Sequence, residues 1–143
     1  MNLTRDDKWW TENYPIGRCE VKEMERLLIV GCENGMNKVC VGCSRCLVAF
    51  SRRVGEFSRY AEQRVELMGI VSCGGCPGDQ LLPRLALMKL WNSPLEADPT
   101  KIHLSPCLVN CQHSESIMTK MEAKCGIEII KGTHPYQVET IFG

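Results

Sequence analysis

The sequence predicts an α/β protein with an open four-stranded parallel sheet, flavodoxin-like or Rossmann-like, preceded by an N-terminal extension. Short continuous apolar runs recur along the chain, and each is typical of a strand that is buried on both faces. The runs occupy residues 26–32, 65–73, 101–107 and 126–132. Stretches with helical periodicity alternate with these runs, which indicates βαβ units and therefore a parallel sheet.

Three helices are predicted in the connections between the strands. Residues 46–63 carry aromatic and aliphatic side chains at helical spacing. Residues 80–91 follow Asp79, a residue type that caps helix N-termini. Pro83 then falls in the first turn, where the backbone amides have no partner within the helix. Residues 114–124 form the third predicted helix, with isoleucine and methionine side chains toward the core.

The chain divides into an extension, residues 1–25, and one domain, residues 26–143. The extension is polar apart from the adjacent Trp9 and Trp10. Exposed tryptophan pairs are typical of contact surfaces. We expect this pair either to meet a protein partner or to pack on the surface of the domain itself.

Composition and charge exclude several classes of partner. The chain has 17 Lys plus Arg and 17 Asp plus Glu, whereas nucleic-acid-binding proteins usually carry a basic excess. No apolar stretch approaches the roughly 20 residues that a membrane span needs. The first eight residues are polar and lack the apolar core of a signal peptide. The sequence therefore predicts a cytoplasmic protein that binds neither nucleic acid nor membrane.

The cysteine content indicates the chemistry. Ten cysteines occur among 143 residues, and in a reducing cytosol such enrichment favours metal ligation or redox chemistry over a disulfide framework.

Cysteines stand at the ends of three predicted strands: Cys32, Cys73 and Cys107. The fourth strand is followed closely by His134. Because the carboxyl ends of parallel strands share one edge of the sheet, where ligands of such folds bind, we expect these four side chains at one rim. His103 lies inside a strand, and we expect it to be a hydrogen-bonded core residue or to support a ligand.

Two cysteine motifs follow the second and third strands. Cys73 and Cys76 are separated by two glycines, which permit positive φ angles and let backbone amides approach the sulfurs. Two cysteines at this spacing can chelate one metal or form a redox disulfide. Cys107, Cys111 and His113 add thiolate and imidazole donors, which suit zinc or iron.

Cys40, Cys43 and Cys46 form a third group, with the spacing of the first three cluster ligands in bacterial ferredoxins. The fourth position of that pattern holds a phenylalanine. A cluster on this triplet needs a remote ligand, for which Cys32 and Cys19 are candidates, or else leaves one iron open to a substrate.

The chain resembles the CGGC-domain family in four segments that follow one another in order. These are residues 29–32, 69–78, 102–107 and 126–134. The resemblance implies zinc binding and no known reaction. Carried over by position, it indicates the following ligands: Cys32, Cys73, Cys76, Cys107, Cys111, His113 and His134.

These observations predict a metal centre, zinc or an iron–sulfur cluster, at the C-terminal edge of the sheet, in a redox or electron-transfer role. The expected main ligands are Cys73, Cys76, Cys107 and either Cys111 or His113. The candidates outnumber the four ligands of a structural zinc, which predicts a second site or spare reactive thiols. Two alternatives remain: a thiol–disulfide oxidoreductase acting through the first two cysteines, and an interaction module that zinc stabilises.

Overall fold

The computed structural model describes residues 24–134. Cys19 and the Trp9-Trp10 pair lie outside the described residues, so the predicted partner contact stays a prediction. Within residues 24–134, no helix combines the length and the apolar character that crossing a membrane requires.

The four predicted strands are present in one parallel sheet. They are β1 (Glu25–Gly31), β2 (Val65–Ser72), β3 (Lys101–Leu104) and β4 (Glu128–Lys131). Their order is β2-β1-β3-β4, and every neighbouring pair is parallel. This order confirms the predicted flavodoxin-like sheet. The chain moves outward from β1 to β2 and then crosses to β3 on the other side of β1, so the winding reverses between β1 and β3.

Five α-helices join the strands and cover the two faces of the sheet. They are α1 (Glu33–Lys38), α2 (Ser44–Arg52), α3 (Leu81–Asn92), α4 (Pro106–Val109) and α5 (Ser114–Cys125). Three 3₁₀ turns accompany them, at Val41–Cys43, Gly55–Tyr60 and Ser93–Leu95.

The central strand β1 contributes to two hydrophobic cores, one on each face of the sheet. Leu27 and Ile29 pack with residues of α2 and the 3₁₀ turn at 55–60. Leu28 and Val30 point to the opposite face and pack with residues of α3 and α5. All four side chains are essentially inaccessible to solvent. Burying each contributes about 1.5–3 kcal/mol, which makes β1 the rigid support for the residues that follow it.

The prediction of one helix over residues 46–63 is wrong. Helix α2 ends at Arg52, and Arg53 takes a left-handed conformation with φ of 55°. The Arg53 guanidinium donates hydrogen bonds to the carbonyl oxygens of Phe50 and Tyr60, which closes this turn. The reversal brings Phe57 edge-on against Phe50, with ring centroids 5.6 Å apart. The apolar spacing thus reflects two short segments that share one core.

The prediction of Asp79 as a helix cap is also wrong. Helix α3 begins at Leu81, and Gln80 before it provides no capping hydrogen bond through its side chain. Asp79 is exposed and forms an ion pair of 3.1 Å with Lys120 of α5. Pro83 does lie in the first turn of α3, as predicted.

Strand β3 is shorter than predicted and ends at Leu104. Pro106 opens the short helix α4, because its fixed φ and missing N–H suit a first helical position. Cys107 therefore lies in the first turn of a helix, although it stays at the same edge of the sheet.

His103 of β3 is the core residue that its position predicts. It is fully buried. Its Nδ1 donates to the carbonyl oxygen of Gly132 at 2.9 Å, and its Nε2 accepts from the Tyr60 hydroxyl at 2.9 Å. Burial lowers the pKa of His103 and raises the pKa of Tyr60 to about 12. The neutral imidazole thus links β3 to the chain that leaves β4.

Candidate functional site

Cys32 and Cys107 meet where the sheet reverses its winding. Cys32 directly follows β1 and precedes α1, and its backbone N–H donates to the Cys107 sulfur at 3.2 Å. The Ser105 hydroxyl lies 2.8 Å from the same sulfur. Gly35 makes this approach feasible, because a Cβ there would lie only 2.8 Å from the Cys107 Cβ. The first turn of α1 therefore packs directly against Cys107.

Cys73 joins this pair from the edge strand. It directly follows β2, and its backbone N–H donates to the Gly31 carbonyl oxygen at 2.9 Å, which continues the pairing of β1 with β2. The Cys73 side chain is buried. Its sulfur accepts a hydrogen bond from the Glu33 backbone N–H at 3.5 Å. The thiol thus lies at the start of α1, beside the contact between Cys32 and Cys107.

The three thiols form one group, which we call the rim cluster: Cys32, Cys73 and Cys107. Burial raises the pKa of Cys32, and the neighbouring charges of Cys73 and Cys107 raise it further. The backbone amides of Gly35 and Asn34 oppose this rise. Amides aimed at sulfur suit the thiolate form, which is the form that binds metals.

The two cysteines of the Cys-Gly-Gly-Cys motif occupy different environments. Cys73 is buried, whereas Cys76 is exposed. The glycines between them have φ of 79° and 104°, and a Cβ on Gly75 would lie 3.1 Å from a carboxylate oxygen of Glu33. The loop therefore fits closely over the start of α1 and holds the first cysteine inside while the second faces solvent.

Two serines support the rim cluster, and sequence reasoning missed both. Ser105 contacts the Cys107 sulfur. Ser72 accepts hydrogen bonds from the Arg84 guanidinium at 2.5 Å and from the Gly74 backbone N–H at 3.3 Å, so it anchors the loop that carries Cys73. A usable signal was present, because each serine stands one or two residues before a rim cysteine.

Cys40, Cys43 and Cys46, which we call the triplet, line part of a cavity of about 620 Å³. Cys107 and His134 line the same cavity. Cys107 therefore lies on the cavity lining with the triplet, whereas Cys32, a predicted remote ligand, does not. Cys19, the other predicted remote ligand, lies outside the described residues.

Cys46 is the most enclosed member of the triplet. Its sulfur lies 3.1 Å from the Thr133 hydroxyl. Burial raises the pKa of Cys46, the contact with Thr133 opposes this, and the charges of Cys107, Cys43 and Cys40 add to the rise. All four thiols belong to residues that line the same cavity.

Cys111 and His113 lie in the loop before α5. The His113 backbone N–H donates to the Cys111 sulfur at 3.4 Å, and the His113 ring contacts the side chain of Gln112 at 3.4 Å. These contacts are local to the loop, and ligation by Cys111 or His113 stays a prediction.

The donor chemistry suits a thiophilic metal, because the edge carries many thiols that zinc and iron prefer. All nine described cysteines are free thiols. Across residues 24–134, no three cysteine, histidine or carboxylate side chains converge on a position for a single ion. If the rim cluster binds a single metal ion, its sulfurs must therefore rotate away from the backbone amides that now donate hydrogen bonds to them.

The fold and these thiol groups define a cysteine-rich α/β protein with its distinctive residues at the carboxyl edge of a parallel sheet. The sequence model of the CGGC domain matches residues 26–134, and the chain belongs to the CGGC-domain family. A relative, an uncharacterized protein of Methanocaldococcus jannaschii, is 30% identical over 117 residues, which cover 76% of this chain and 86% of the relative. A comparison with solved structures found no match.

Proposed function

We propose that this protein binds zinc through the thiolates of the rim cluster. One observation carries the proposal: three cysteines that are distant in sequence, Cys32, Cys73 and Cys107, gather at the start of α1 through contacts between their sulfurs and backbone amides. The point of gathering is the switch point of the sheet, which is where ligands of open α/β folds bind.

The rim cluster favours shared ligation over a redox pair made by Cys73 and Cys76. The Cys73 sulfur is directed to the Glu33 amide, and Cys73 acts electrostatically on Cys32. Cys76 lies exposed at the other end of the loop. A thiol–disulfide oxidoreductase would use the exposed Cys76 as its attacking thiolate and would need the Cys73 sulfur to leave the Glu33 amide and approach it.

Three thiolates leave one of zinc's four positions for a further ligand. Catalytic zinc sites share this arrangement of three protein ligands and one exchangeable position. The candidates nearest in sequence to a rim cysteine are Cys76 and Cys111, and a small molecule is the other choice. When bound, zinc would supply a Lewis acid at the switch point, while the amides of Cys32 and Glu33 and the Ser105 hydroxyl orient the thiolates.

The test is elemental analysis of the full chain, purified anaerobically, with single cysteine-to-serine variants. We expect stoichiometric zinc in the unaltered protein and at least a tenfold loss in Cys73→Ser. Cys125→Ser is the matched control, because that thiol lies at the end of α5 and packs against the core.

Two results would contradict the proposal. One is full zinc content in the Cys73→Ser variant. The other is a disulfide between Cys73 and Cys76 that forms and reduces reversibly in a protein without zinc, which would favour the oxidoreductase.

A further inference from the structure

The triplet loop has a backbone conformation that directs its cysteines around one space. Cys40 precedes the 3₁₀ turn at Val41–Cys43, and Cys46 lies in the first turn of α2. Two consecutive residues between them, Gly42 and Cys43, are left-handed, with φ of 63° and 56°. A non-glycine residue in this conformation is strained, and such strain concentrates at functional sites.

The cavity that this loop lines is too large for one ion. Its volume of about 620 Å³ lies within the range of roughly 300–1,000 Å³ that small molecules and cofactors occupy. The triplet lies on its lining together with Ser105, Cys107 and His134. The cavity therefore has the dimensions of a cofactor site with a wall of thiols.

The sequence spacing of the triplet and the size of the cavity favour a cluster of ions over one ion. A zinc ion needs all its sulfur ligands at about 2.3 Å from one point. A multinuclear cluster binds each cysteine through a different iron, so its ligand sulfurs surround a volume instead of meeting at a point.

We propose that this cavity holds a [4Fe–4S] cluster on Cys40, Cys43 and Cys46, with its fourth iron directed to the wall that contains Cys107 and His134. Three cysteines at intervals of three residues are the arrangement that binds three irons of such clusters in bacterial ferredoxins. The fourth iron then faces the part of the cavity next to the rim cluster. The two proposed centres share no ligand: the cluster uses the triplet, and the zinc uses the rim cluster, whose Cys107 also lines this cavity.

The experiment is anaerobic reconstitution of the full chain with equal amounts of ferrous and ferric iron and with sulfide, followed by measurement of iron, acid-labile sulfide and the visible absorption of thiolate-bound iron. We expect about four irons and four sulfides per chain in the unaltered protein. Cys43→Ser should lose at least half of this iron and the visible absorption. Cys40→Ser, at a thiol outside the strained turn, should do the same.

Two control variants are needed. One distinguishes the loss of a thiol from a general change in the loop region, and the other distinguishes the cluster from the zinc. Lys38→Gln changes an exposed side chain two residues before Cys40, and it should keep the cluster. Cys73→Ser should also keep it while zinc is lost, so a failure of the zinc proposal leaves the cluster result readable. The cluster proposal is overturned if the unaltered chain binds no sulfide, or if folded Cys40→Ser and Cys43→Ser retain the full iron content.

Discussion

The backbone N–H of Cys32 lies 3.2 Å from the Cys107 sulfur and connects the ends of β1 and β3. These two strands are adjacent in the sheet, although the residues are 75 positions apart in sequence. The contact spans the switch point, and Cys107 also lines the cavity of the triplet. Cys107 therefore stands between the proposed zinc and the proposed cluster.

Replacing Cys107 with serine should remove zinc and alter the cluster without removing it. The rim cluster would lose one of three thiolates, whereas the cluster would keep its three ligands and change only beside its fourth iron. We expect at least a tenfold loss of zinc, retained iron, and a changed electron paramagnetic resonance spectrum of the reduced cluster. Retention of zinc by Cys107→Ser would argue against its role in the rim cluster.

Replacing Gly35 with alanine should weaken zinc binding through crowding. Alanine favours a helix by about 1 kcal/mol relative to glycine, but the new Cβ would lie 2.8 Å from the Cys107 Cβ. Such overlap costs about 1–3 kcal/mol, so we expect lower stability in urea and lower zinc affinity. Asn34→Ala, an exposed position of the same helix, should change neither.

Stability should fall in acid because of His103. Its folded pKa lies below the ordinary value of 6.5, so the unfolded chain binds the proton more readily than the folded one. The contribution of neutral His103 to the free energy of unfolding is fully present above pH 6.5. It decreases as the pH falls below this value, by at most about 1.4 kcal/mol per pH unit. Urea unfolding at several pH values measures the slope, and His103→Gln should have a shallower one. Equal slopes in the two proteins would refute the assignment.

Stability should also fall in strong alkali because of Tyr60. Its folded pKa is raised to about 12 from the ordinary 10.0, so the unfolded chain loses the phenolic proton first. The contribution of protonated Tyr60 to the free energy of unfolding is fully present below pH 10 and is lost as the pH rises toward 12. Tyr60→Phe should remove this part of the decline. At neutral pH the same variant should cost about 1 kcal/mol, because the His103 Nε2 loses its donor.

Most of the fold was predictable because local patterns determine it. The apolar runs located the four strands of the described sheet. The inner strands β1 and β3 are buried on both faces, as continuous apolar runs indicate, whereas the edge strand β4 has exposed residues at both ends. The triplet region was less predictable. Periodicity alone extended the helix to residue 63, and it could not show that Arg53 reverses the chain by capping two carbonyl groups.

The candidate site was predictable in part for the same reason. Cysteines at strand ends must share an edge in a parallel sheet, so the meeting of Cys32, Cys73 and Cys107 followed from the strand assignments. The division of the thiols into two groups did not follow. Cys76 faces solvent and Cys111 has local contacts, whereas Cys107 lines the cavity of the triplet.

The sequence by itself determined the alternation of strands and helices, the surplus of thiols and the edge at which they stand, because these depend on residue order and on short-range periodicity. Only the tertiary structure decided which thiols are neighbours, because that depends on strand order and on the path of each loop. The order β2-β1-β3-β4 makes Cys32 and Cys107 adjacent. Beside them, the left-handed residue Cys43 lines the cavity that Cys107 also lines.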